Sequence, residues 1–149
     1  MTINEYLWRL EWLRIDKERK FERYLRLHEQ TVSPRSSLDI DGLPHRSQTN
    51  TRELQLIRSA SALEKYYDAD ERFEIYRDEV LNNLSKLEHR YRITLEHVYV
   101  WSLDKAPEQR KNGLCRALCL RRKNEIPPIM REAKAALREV LIGQGIEVE

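Results

Sequence analysis

Apolar residues recur at helical spacing almost from the first position. Ile3, Leu7, Leu10, Phe21 and Tyr24 form a stripe, with Trp8, Trp12 and Ile15 beside it and Arg14 and Lys17 interrupting it. Thr2-Ile3-Asn4-Glu5 has the form of a capping box, in which hydroxyl and carboxylate each satisfy an orphan backbone N–H. This predicts a helix over about residues 3–30, with a stripe narrow enough to suit one partner helix. Residues 31–50, "TVSPRSSLDIDGLPHRSQTN", break the period with Pro34, Gly42 and Pro44 and predict a mobile loop.

Asn50-Thr51-Arg52-Glu53 reads as a second start signal, and neither Pro nor Gly follows until Pro107. Leu56, Leu63, Tyr66, Phe73, Val80, Leu84, Leu87 and Tyr91 alternate in steps of three and four, as in a coiled-coil seam. Asp70 and Arg77 fall on that seam and weaken or re-register it. The pattern predicts a helix over about residues 51–88, antiparallel to the first. In "RYRITLEHVYVWSL" the β-branched and aromatic residues would also allow a strand, but the stripe Tyr91, Leu95, Val98, Trp101 decides for helix. Residues 102–106 are a break, Pro107 opens a helix, and Asn112-Gly113 reads as a stop or kink. A last helix is expected from about Pro127 to Leu141, closed by Gly143.

Composition sharpens the class. Charged residues are 35% and apolar residues 40%, with four Gly and five Pro, which together point to an all-α fold with long solvated faces. The expected architecture is a coiled-coil-like N-terminal helical hairpin (residues 1–88) followed by a small helix-turn-helix bundle (residues 89–143). No apolar run approaches a membrane span and no signal pattern opens the chain, so a cytoplasmic protein is expected. Cys115 and Cys119, one helical turn apart, read as small core residues.

Charge is uneven. Residues 105–141 hold ten Lys or Arg against four Glu, whereas residues 51–104 hold eight against eleven acids. A basic C-terminal third suggests that this end meets a polyanion. No catalytic constellation is present: His28, His45, His89 and His97 are scattered, no Cys/His spacing suits zinc, and no glycine loop cradles phosphate. No enzyme activity and no cofactor or metal are expected.

Residues 114–137, "LCRALCLRRKNEIPPIMREAKAAL", have the parts of a DNA-reading helix-turn-helix: a short apolar helix, a basic turn and an amphipathic helix. Pro127 and Pro128 stand where the reading helix should begin. A mid-helix proline costs about 3 kcal/mol or more, so the helix must start near Asn124 to Ile126, with Asn124 as its cap. Arg121, Arg122 and Lys123 then form a turn suited to phosphates, with Arg116 and Arg131 next in reach. Asn124, Glu125, Met130 and Lys134 are the candidates for base reading.

"MTINEYLWRLEWLRIDKERKFERYLRL", a loop holding Gly42-Leu43-Pro44-His45, and a long helix into "LEHRYRITLEHVYVW" resemble the ArpU/RinA-like phage transcriptional regulator family. The resemblance implies a helical hairpin joined to an element similar to region 4 of bacterial sigma factors. Tyr91, Leu95, Val98 and Tyr99 match its first helix, and Leu114, Cys115, Leu118, Cys119 and Leu120 its second. Arg121, Arg122, Lys123 and Asn124 match the turn and the start of the reading helix, with Ile126, Ala133 and Leu137 behind it. The chain departs in placing Arg121 where a capping Ser is usual, Cys119 where a Gly eases the turn, and the proline pair in the first turns. The implied function is a phage or prophage regulator that binds duplex DNA through Arg116, Arg121, Arg122, Lys123, Asn124, Arg131 and Lys134. RNA polymerase or another host protein and a second copy of the chain are the implied partners. The alternative is a non-enzymatic phage interaction protein that binds or inhibits a host protein and has lost DNA reading.

Overall fold

Thr2 and Glu5 close the first turn of α1 (Ile3–Val32) in the reciprocal manner their spacing predicts. The Glu5 N–H donates to Thr2 Oγ1 at 3.1 Å and the Thr2 N–H donates to Glu5 Oε2 at 2.7 Å. The structure, a computed structural model, describes residues 1–32 and 46–149. After α1 come α2 (Arg46–Leu84), α3 (His89–Glu96) running into a π-helical turn (His97–Trp101), α4 (Pro107–Leu118), a 3₁₀ turn (Lys123–Glu125) and α5 (Ile126–Gly143). The fold is all-α, and no described helix is long and apolar enough to cross a membrane.

Contacts divide the chain into two units, residues 1–12 with 74–149, and residues 13–73. These units do not coincide with the expected division at residue 88. Tyr6, Leu7 and Leu10 of α1 and Tyr76, Val80 and Leu84 of α2 are buried in the same unit as Leu95, Leu114, Ile129, Ala133, Leu137 and Leu141 of the later helices. Three short helices offer too little apolar surface to close a core alone, and both long helices contribute a turn or more to it. A polar chain runs through this core. The Tyr76 hydroxyl donates to the Tyr6 carbonyl at 2.6 Å, Asn83 Nδ2 donates to the Tyr6 hydroxyl at 2.7 Å, and Gln144 Nε2 donates to Asn83 Oδ1 at 2.8 Å. Burial pushes the phenols of Tyr6 and Tyr76 above the ordinary tyrosine range, so both stay protonated and able to donate.

In the second unit α1 and α2 run antiparallel. Lys17 pairs with Asp70 at 2.8 Å and lies over the Phe73 ring at 4.7 Å, and the Phe21 and Tyr66 rings approach to 4.9 Å. Rising numbers on one helix thus meet falling numbers on the other. The buried residues of α2 here are Ser59, Ala62, Ala69 and Phe73. Across its length the buried row of α2 is Ser59, Ala62, Ala69, Phe73, Tyr76, Val80 and Asn83, in steps of three and four with half-buried Tyr66 between. That corrects the predicted seam. Phe73, Val80 and Leu84 are buried as expected, but Leu56 is exposed and Leu63 only half-buried. Asp70 and Arg77 flank the row, Asp70 in its ion pair with Lys17 and Arg77 beside Glu74.

Boundaries differ in instructive ways. α2 begins at Arg46 rather than Thr51, since residues 46–50 include no Pro or Gly to stop it, and it ends at Leu84 rather than residue 88. Gly42-Leu43-Pro44-His45 and most of the predicted loop lie outside the described residues.

Gly113 does not stop a helix, because α4 runs through it to Leu118. Its role is clearance: a Cβ there would stand 2.5 Å from His97 Nε2 on the π-helical turn. In the parent chain Gly113→Ala is expected to cost about 1 kcal/mol, the clash outweighing the helix propensity gained. With His97→Ala in place, the same change should instead stabilise by about 1 kcal/mol. Denaturant titrations of the four chains measure the coupling, and additive effects would mean that the ring does not restrict the site.

Candidate nucleic-acid interface

The basic turn is built by two helix ends. Pro107 enters α4 at its first turn, where its missing N–H costs nothing, and Ala106 precedes it in extended backbone. Arg110 belongs to this support and not to the surface. Its Nε donates to the Lys105 carbonyl at 2.9 Å, its Nη2 to the Leu103 carbonyl at 2.9 Å, and its guanidinium lies 5.9 Å from the Trp8 ring. Trp8 in turn meets Tyr99 edge-on at 5.1 Å. One cation of the basic third is thereby spent on holding the 102–106 segment against α1.

α4 ends in a Schellman motif with Cys119 at its left-handed position, φ 55° and ψ 38°. The Leu120 N–H donates to the Cys115 carbonyl at 2.9 Å and the Cys119 N–H to the Arg116 carbonyl at 3.3 Å. The end of α5 repeats the motif with Gly145, φ 81°, in the same place. Cys119 thus adopts the backbone that a glycine would take without strain, and a Cβ there costs about 1–2 kcal/mol. Its side chain is exposed, and Cys115 is half-buried, so only Cys115 is even partly the core residue expected of both. Cys119→Gly should therefore stabilise the chain by about 1 kcal/mol and raise its melting temperature by about 3 °C. A melting temperature lowered by the change would show that the thiol makes a contact worth more than the strain.

Past the turn, Arg122 is extended, Lys123–Glu125 form the 3₁₀ turn and α5 begins at Ile126, placing Pro127 and Pro128 in its first turn. The start lies in the predicted interval, and the prolines cost no mid-helix hydrogen bond. Asn124 is not the cap. Glu125 occupies that position, and no side chain closes the helix end there. Ile126, Ile129, Ala133, Leu137 and Leu141 form the buried face of α5.

The predicted contact residues separate into two groups. Arg116, Arg121, Arg122, Asn124 and Arg131 are exposed, and none has an ion-pair partner among the described residues. Lys123 is also exposed, yet its Nζ pairs with Glu108 at 3.0 Å. That hydrogen bond holds the Glu108 carboxyl below the usual carboxylate range, with the charges of Lys123 and Lys111 adding to it. Lys134 is directed elsewhere: its Nζ donates to Asn4 Oδ1 at 2.9 Å and sits 5.4 Å from the Tyr99 ring. Met130 is half-buried. Of the four base-reading candidates, Asn124 and Glu125 remain fully on the surface.

Two exposed tryptophans stand outside the basic turn. Trp12 on α1 is 76% exposed and Trp101, at the end of the π-helical turn, is 57% exposed. Their type is legible in the sequence, but only the structure separates them from half-buried Trp8. Among the described residues no group of three or more His, Cys, Asp or Glu side chains could hold a metal ion. The chain matches no family model, no curated protein and no solved structure.

Proposed function

We propose that this chain is a phage or prophage transcriptional regulator of the ArpU/RinA-like kind, which binds duplex DNA through the α4–α5 element. One observation carries the reading: Arg116, Arg121 and Arg122 are exposed and have no ion pair among the described residues, around a tight turn between two helices, with Arg131 exposed on the second. Such a turn presents guanidinium groups to phosphates, while the first turns of α5 face the groove. With Lys134 bound to Asn4, base reading falls to Asn124 and Glu125, so sequence preference is weak and backbone contact dominates. Mobility shifts across a salt series test this. Binding should be measurable at low salt and fall by roughly ten- to a hundredfold toward physiological salt, as expected for about three to four phosphate contacts. Absence of binding even at low salt would refute it.

The second reading is an interaction protein that binds or inhibits a host protein without reading DNA. Exposed Trp12 and Trp101 favour it, since tryptophan is enriched among the residues that dominate protein interfaces. Either reading leaves a second copy of the chain or RNA polymerase as partner. Pull-down by the parent and by a Trp12→Ala, Trp101→Ala variant, read beside the mobility shifts, separates the two.

A further inference from the structure

The second unit carries a group of cations that neither reading uses. Lys20 and Arg23 lie one turn apart on α1, and Lys65 and Arg72 lie on one face of α2 with Asp68 between them. These five side chains, with Ala62, line a single open cleft of about 400 Å³. Lys20 is bound to Asp16 at 2.8 Å. Arg23, Lys65 and Arg72 have no ion-pair partner among the described residues. Four cations against one acid in one cleft repel one another, and among the described residues the lining offsets that repulsion only through Asp68 and the Asp16 pair.

We infer that this cleft is a binding site for a small anion carrying two or more phosphate groups. Size and wall chemistry both select that class. The volume lies within the range of small-molecule sites and exceeds what a lone anion fills. Among the described residues no aromatic ring lines the cleft, so they give a nucleobase nothing to stack on and the phosphates must supply the affinity. Arg23 and Arg72 approach from different helices, and each offers a planar fork matched to phosphate oxygens. Lys65 adds a point charge to the same wall, and Asp68 can accept from a hydroxyl or a protonated phosphate oxygen. Ala62 is buried, and its small side chain adds little bulk to the lining.

Calorimetric titration of the full chain with sodium tripolyphosphate at low salt tests the site. One saturable equivalent is expected for the parent. Arg23→Gln with Arg72→Gln should weaken binding about tenfold or more, as should Lys65→Gln in a separate chain. An Arg121→Ala, Arg122→Ala, Lys123→Ala chain should bind as the parent does. Without ligand, the cleft variants should melt at or above the parent temperature, because they relieve repulsion; with ligand, only chains that keep the cleft should gain stability. The inference is overturned if the parent does not saturate, if the cleft variants bind unchanged, or if the turn variant is the one that loses tripolyphosphate. It is also overturned if a short duplex DNA displaces tripolyphosphate from the parent and the cleft variants lose that duplex equally, since the cleft would then track a nucleic-acid backbone.

Discussion

Leu84→Ala is expected to destabilise the chain by about 2–5 kcal/mol, whereas Leu63→Ala should cost less than about 1.5 kcal/mol. Both leucines belong to the seam predicted from spacing, but Leu84 is fully buried and Leu63 is half-buried. Truncating a buried leucine removes its transfer free energy and leaves a cavity that neighbours fill only in part. A half-buried one leaves space that water reaches. At about 2–4 °C per kcal/mol, the first change lowers the melting temperature by roughly 4–20 °C. Thermal melts of the two variants side by side decide the matter, and equal losses would restore the row of large apolar residues as the packed seam.

The second large effect is on DNA. Replacing Arg121, Arg122 and Lys123 with Ala together should weaken binding on every sequence alike and flatten the log–log salt slope by about two to three units. The lower end is expected, because Lys123 already neutralises Glu108 and must give up that partner to meet a phosphate. Stability should change by less than about 0.5 kcal/mol, since all three side chains are exposed. Titrations at several salt concentrations, with a melt as control, measure both. An unchanged slope removes the turn from the interface.

The sequence makes the helices legible and the packing only in part. Thr2 and Glu5 announce their own hydrogen bonds because a capping box is local. The seam on α2 is legible on one row, through Phe73 and Val80, and misread by one position on the other. Large apolar side chains draw the eye to Leu56 and Leu63, while Ala62, Ala69 and Asn83 fill the inner row. Small or polar residues there leave no hydrophobic signal, and only the approach of α1 gives them their role. The basic turn follows the same division. Exposure of Arg121 and Arg122 follows from a turn between two helices, but the loss of Lys134 depends on Asn4, 130 residues away. Cys119 is legible as a departure from glycine, and the structure places it at φ 55°.

The joining of residues 1–12 with residues 74–149 in one unit has a consequence during synthesis. Tyr6, Leu7 and Leu10 leave the ribosome well before α5, and the Asn4–Lys134 bond beside them closes across 130 residues of chain. At about 5–20 residues per second, the nascent chain carries that apolar face without its α5 partners for roughly 7–26 s. Over that interval the first turns of α1 form a hydrophobic segment open to chaperones and to neighbouring nascent chains. A ribosome stalled before α5 should therefore display first turns of α1 that protease cleaves, and synthesis through α5 should protect them.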